Sequence, residues 1–180
     1  MIGDPVISGM VAAAIAIVFL VGAWQKLRDV DAFAAAVEDY AILPEALVRP
    51  FARALPLAEA LAAVALIVER TRVTGVWLAF AVLAVVTFGV VVNLVRGRTE
   101  LGCGCAGLED EQTLSFALVA RNGALAALVG LALAEAPTRT LAWLDYLSVG
   151  AGAICLFCLY LAFNQLLANA PRLARLRMRA

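Results

Sequence analysis

Long apolar runs constrain this chain more than any motif does. They cover Val6 to about Trp24, about Ala54 to Val68, Val73 to Val95, about Leu114 to Ala134 and about Leu141 to Leu167. A helix needs roughly 17–25 such residues to cross a hydrocarbon core of about 30 Å, and most of the runs reach that length. They are rich in Ala and Leu and lack the alternation of a membrane barrel. The chain is 64% hydrophobic, whereas a soluble domain is typically about 45–50% apolar. The expected fold is therefore an all-α integral membrane bundle, with about five transmembrane helices and one interfacial amphipathic helix. It forms one membrane domain over residues 1–180 in three parts: a four-helix core at about 5–136, a fifth helix at about 141–168, and a basic tail at 169–180. The first run follows an acidic Asp4 and ends in Trp24-Gln25-Lys26. That is not the pattern of a cleaved signal peptide, so the run reads as a retained crossing.

The polar segments order these crossings. Glu69-Arg70-Thr71-Arg72 is a tight turn that predicts an antiparallel hairpin of crossings two and three. Pro56 is expected in the first turn of crossing two, where proline is tolerated. The segment DVDAFAAAVEDYAILPEALVRPF is too polar to span. Phe33, Val37 and Tyr40 recur there at helical spacing, which predicts a helix lying on the membrane surface and ending near Pro44.

Net charge is zero and there is no histidine. The first gives no footprint for nucleic acid. The second removes the usual haem ligand, proton shuttle and mixed His/Cys zinc site. Protein-based redox or metal chemistry then falls to the four thiols, Cys103, Cys105, Cys155 and Cys158. Lys and Arg crowd one side of the predicted topology: Lys26, Arg28, Arg49, Arg53, Arg96, Arg98 and four tail arginines. The opposite side holds Arg70, Arg72 and Arg139. The positive-inside rule makes the first side cytoplasmic and puts the Cys103/Cys105 loop on it.

Ionisable side chains within a bilayer cost several kcal/mol unless paired or hydrated. Lys26, Glu59, Asn93 and Arg121 all approach from the side of the cysteine loop, so they are read together as a polar floor beneath it. A nearby cation favours the reactive thiolate. Singly, Arg121 could snorkel and Glu59 could lie at the interface.

Cys103-Gly104-Cys105 has three readings: dithiol/disulfide exchange, capture of a soft metal such as Cu(I) or zinc, or idle cysteines. Gly104 supplies the backbone freedom that so short a bridge requires. Cys155-Leu156-Phe157-Cys158 has the C-x-x-C spacing on one helix face. Cysteine is also a common small apolar filler of buried helices. The functional alternative is an electron relay toward a membrane quinone. No cofactor is firmly indicated; a quinone is the one candidate.

Several stretches resemble the MauE family of methylamine-utilisation membrane proteins, within the broader DoxX-like group. They are KLRDVDAFAAAVEDYAILP, LPLAEALAAVAL around Glu59, VNLVRGRTELGCGCAG, LVARNGALA around Arg121, and the closing LAFNQLLANAPRL. The resemblance implies a multi-pass protein of the bacterial inner (cytoplasmic) membrane. It also implies accessory work in maturation of the methylamine dehydrogenase small subunit, a disulfide-rich periplasmic protein, alongside a thioredoxin-like partner of the MauD type. Cys103 and Cys105 would be the exchanging pair, with Cys155 and Cys158 as relay and Lys26, Glu59, Asn93 and Arg121 as support. A non-catalytic scaffold or chaperone for the subunit or its partner is the alternative, and soft-metal handling a second. The implied role favours a periplasmic cysteine loop, while the charge count favours a cytoplasmic one. The surface helix and helical C-x-x-C are also similar, at the level of fold, to vitamin K epoxide reductase-like proteins.

Overall fold

A computed structural model describes residues 4–101, 114–133 and 142–177. The described residues form six α-helices and no strand: α1 (Pro5–Arg28), α2 (Val30–Asp39), α3 (Glu45–Ile67), α4 (Arg72–Val95), α5 (Phe116–Leu131) and α6 (Trp143–Arg177). Among the described residues, four segments are long and apolar enough to cross a membrane: Pro5–Arg28, Glu45–Ile67, Glu69–Val95 and Trp143–Asn169. α5 is the exception. Its 16 residues rise about 24 Å, short of a typical hydrocarbon core.

Local chemistry sets the helix ends. Asp4 caps α1 by accepting a hydrogen bond from the Val6 amide at 2.9 Å, with Pro5 in the first turn. That proline loses no bond, because the first amides of a helix have no intrahelical partner. Asp29 caps α2 in the same way, accepting from the Ala32 amide at 3.0 Å. α2 carries the predicted amphipathic pattern, with Phe33 and Ala34 buried and Asp31, Glu38 and Asp39 exposed. It does not run to Pro44. It stops at Asp39, and Ala41 takes a left-handed φ of 48°. Pro44, in an extended conformation, is instead the residue from which α3 starts.

α3 therefore begins about nine residues before the predicted second crossing. Pro56 lies in the helix interior, not in a first turn, and Pro50 precedes it within the same helix. The opening EALVRP is polar, so hydropathy misses it. Proline is tolerated inside such helices when neighbours compensate for the lost backbone bond.

The predicted hairpin of α3 and α4 forms through a 3-10 turn at Glu69–Thr71. Thr71 Oγ1 donates to the Ala65 and Val68 carbonyls at 3.1 and 3.2 Å, and Arg72 Nε to the Leu66 carbonyl at 3.4 Å. These bonds satisfy carbonyls that the end of α3 leaves open. Gly75 lets the two backbones meet: a Cβ there would lie 2.6 Å from the Leu66 nitrogen. One apolar core joins α1, α2, α3, α4 and α5, and includes Ile15, Phe19, Phe33, Leu66, Val76 and Val129. α6 lies against α1, where Gly9 faces Val149 and Gly152 faces Met10. Small residues permit such close approach of membrane helices.

The outer surface is apolar. Trp24 lies near one end of the bundle, Trp77 and Trp143 near the other, and each is about two-thirds or more exposed. Indole rings at both ends form the interfacial belts of a spanning protein. Replacing Gly75 with Val should destabilise the hairpin by about 1–3 kcal/mol through overpacking. Thermal unfolding in mild detergent would show a lowered Tm, whereas Gly123→Ala, where a Cβ meets open space, should shift it by little.

Candidate functional site

The site is assembled at the end of the bundle shared by α2, the end of α4 and the start of α5. α4 stops in a six-residue backbone motif. Gly97 takes a φ of +74°, its amide donates to the Leu94 carbonyl at 3.0 Å, and the Arg98 amide donates to the Asn93 carbonyl at 3.0 Å. This pairing is the Schellman termination, and its left-handed position favours glycine. Asn93 lies under it, fully buried. Its Nδ2 donates to the Gly89 carbonyl at 3.1 Å, and its Oδ1 accepts from Arg98 Nη1 at 3.4 Å. Arg96 reaches the other way, donating from Nη1 to the Ala41 carbonyl at 3.1 Å and so joining the end of α4 to the turn after α2.

Beyond the turn, Leu101 and Leu114 close on each other. The Leu114 amide donates to the Leu101 carbonyl at 3.1 Å. Leu114 packs with Val90, Leu94 and Leu118, with Tyr40, Leu101 and Val119 around them. Leu101 and Leu114, which flank residues 102–113, are thus joined at one point of the bundle. Cys103 and Cys105 belong to that segment and lie outside the described residues.

The four polar residues expected as a floor are all buried, but their bonds divide them. Lys26 Nζ donates to Glu59 Oε1 at 2.7 Å and Oε2 at 2.8 Å, tying α1 to α3. The two side chains are only 8% and 7% exposed. Nζ also stands 5.7 Å from the centroid of the Phe33 ring, within cation–π range. Gly22 leaves room for the pair: a Cβ there would be 3.6 Å from Nζ and 3.8 Å from Glu59 Oε2. The lysine thus folds back about one turn along α1.

Arg121 belongs to a second group. Its Nη1 donates to Asn164 Oδ1 on α6 at 2.7 Å, and its Nε and Nη2 donate to Asn122 Oδ1 at 3.3 and 3.2 Å. Asn122 Nδ2 donates in turn to Thr87 Oγ1 on α4 at 3.1 Å. The guanidinium joins α5 to α6, and Asn122 joins α5 to α4. Lys26 thus has a carboxylate opposite it, whereas these partners of Arg121 are neutral amides. Asn164 and Thr87 were not singled out from the sequence. The available signal was an amide in an apolar run, which needs a partner as an ionised group does.

Cys155 and Cys158 are both exposed on the outer surface of α6 as free thiols. The face of α6 turned inward instead carries Ala153 and Asn164. The two thiols therefore are not buried filler.

Fold and site define a multi-pass, all-α membrane protein with a cysteine-bearing segment anchored at one end of its bundle. The sequence profile described as methylamine utilisation protein MauE matches residues 5–135. The chain belongs to that family. It is 39% identical over 105 residues to Methylamine utilization protein MauE of Methylophilus methylotrophus, covering 58% of this chain and 55% of that protein. Against the protein of the same name from Paracoccus denitrificans it is 38% identical over 114 residues, covering 63% and 61%. The chain thus spans less than two thirds of the length of these two relatives. With the protein of that name from Paracoccus versutus it shares 32% identity over 165 residues, covering 91% and 88%. No solved structure gives a significant match.

Breaking a buried ion pair on one side strands a charge, at a cost of about 3–5 kcal/mol. Lys26→Met alone and Glu59→Leu alone should each destabilise by about that much, and the double variant by far less than their sum. A double-mutant cycle read by unfolding in detergent measures the coupling; additive losses would show that the pair does not act as a unit.

Proposed function

We propose that the chain is an accessory protein of methylamine utilisation, residing in the bacterial inner membrane. It would serve maturation of the methylamine dehydrogenase small subunit by thiol–disulfide exchange through Cys103 and Cys105. The observation that supports this reading is the closed stem: the Gly97 stop and the Leu114-to-Leu101 bond bring together the two ends of the stretch whose sequence holds two cysteines one glycine apart. Family membership supplies the biological setting, and a thioredoxin-like protein of the MauD type is the expected exchange partner.

The chemistry balances within the two dithiol/disulfide couples. A thiolate from the reduced pair attacks the partner's disulfide, forming a mixed S–S bond and expelling one partner thiolate. The second cysteine, deprotonated, attacks the mixed bond, closes Cys103–Cys105 and releases the partner as a dithiol. Two electrons and two protons pass to the partner. The reverse sequence oxidises a partner dithiol at the cost of the Cys103–Cys105 bridge. Exchange of this kind needs no resident cofactor. The Lys26 charge is balanced locally by Glu59.

In a methylamine-grown bacterium, Cys103→Ser and Cys105→Ser should each reduce mature small subunit at least tenfold while the membrane protein itself accumulates normally. Unchanged maturation would overturn the exchange mechanism and leave the scaffold role. A membrane-impermeant maleimide, applied to spheroplasts of a Cys155→Ala/Cys158→Ala variant with and without reductant, reports the side and redox state of the pair. Labelling from outside only after reduction is the expected result. Free thiols labelled only after lysis would exclude a periplasmic oxidase.

A further inference from the structure

A cavity of about 190 Å³ lies between the surface helix α2 and the α3/α4 hairpin. Phe33, Val37 and Tyr40 come from α2 and its end, Phe51 and Leu55 from α3, and Val85, Phe88 and Gly89 from α4. Gly89 brings the α4 backbone against the Tyr40 ring, to which a Cβ at that position would come within 3.4 Å. Among the described residues that line it, Lys26 alone is charged. Val85 and Phe88 are exposed, Phe88 at 61%, so the mouth lies on the lipid-facing side of α4.

These features restrict the occupant. A cavity of about 150 Å³ with an apolar lining admits benzene, so this one is large enough for a single ring with small substituents. Four aromatic side chains line it, which suits a flat π-system. Its charged donor, Lys26, is distinctive. An ammonium has three N–H groups, and Glu59 engages no more than two of them. Lys26 and the Phe33 ring beneath its Nζ both line the cavity, so an occupant would meet the lysine from the side that Phe33 covers. The Lys26 charge is already balanced. An anionic headgroup would bring a second negative charge beside Glu59, whereas a neutral carbonyl would accept the spare N–H without disturbing the pair. An acyl chain would fill the volume but leave that donor unused.

From this geometry we infer that the cavity binds the ring of a neutral, lipid-soluble quinone, entering sideways from the bilayer past Val85 and Phe88, with one carbonyl accepting from Lys26. The site stands on residues outside the cysteine segment and does not depend on the thiol chemistry.

The test uses the full chain in nanodiscs of quinone-free phosphatidylcholine, with a photoreactive azido-benzoquinone bearing a decyl tail as probe. Adducts mapped by mass spectrometry should concentrate on residues 33–43 and 85–89. Unlabelled decylbenzoquinone should suppress them at least tenfold more effectively than decylbenzene or decanoate. Ala36→Trp, which fills the cavity, and Val85→Trp, which obstructs its mouth from an exposed position, should each lower labelling at least tenfold. Joint replacement by Lys26→Met and Glu59→Leu removes the donor without stranding a charge and should have the same effect. Adducts spread evenly over the lipid-facing helices would overturn the inference. So would equal competition by decylbenzene or decanoate, or undiminished labelling of whichever of these variants folds.

Discussion

A bilayer offers no water to a charge, so every ionised group that enters it must be answered by the protein. In this bundle one such answer is Lys26 to Glu59. Both oxygens of one carboxylate meet one ammonium, in a space that Gly22 leaves open. The pair fixes α1 against α3, and much of the remaining architecture leans on that contact. α2 is capped by Asp29, three residues beyond Lys26, and returns over it so that Phe33 covers the ammonium. α3 continues through the polar turn into α4. A hydrophobic pair of the same shape could be as stable. An ion pair additionally discriminates against sliding or rotation of either helix, because misregister would strand two charges.

Arg121 applies the same rule to the outer helices. α6 rests chiefly on α1, and α5 on α4 and α1. The guanidinium spans the space between α5 and α6 to reach Asn164, while Asn122 bonds Thr87 on α4. The family match ends at residue 135, before α6 begins, yet α6 supplies an acceptor to an arginine inside the matched region. The sixth helix is thus tied to the core by chemistry as well as by packing.

Much of this was legible in the sequence. The α3/α4 hairpin followed from four polar residues between apolar runs, and α2 from its amphipathic spacing. Lys26, Glu59, Asn93 and Arg121 stood out because they are polar in apolar surroundings, and all four are buried. Their bonding was not legible. A lysine reaches about a turn along its own helix, so the levels of Cα atoms do not identify its partner. The start of α3 was obscured because its first turns are polar and contain Pro50, and hydropathy reports where lipid begins rather than where a helix begins. Pro44 looked like a helix stop yet starts the next helix; proline is suited to both places. The final turn of α4 shows the opposite situation. Gly97 lies in the stretch that carried the family resemblance, and its left-handed φ gives a physical reason for glycine there.

The short α5 and the anchored stem are connected. A helix rising about 24 Å cannot bring both of its ends clear of a hydrocarbon core of about 30 Å. One end must be sheltered by protein. The end nearer the cysteines is sheltered: Leu114 is almost fully buried against Val90, Leu94 and Leu118, and its amide is bonded to Leu101. α4 meets it there through a glycine termination that satisfies its own carbonyls, and Arg96 fastens the turn after α2 across the same corner. Unsatisfied backbone at that depth would be costly, so the corner has little freedom to loosen. The two ends of the cysteine-bearing stretch, Leu101 and Leu114, therefore meet at a well-packed corner of the bundle. The short helix and the closed stem are thus two sides of one requirement, that backbone ending at this depth be covered and bonded by protein.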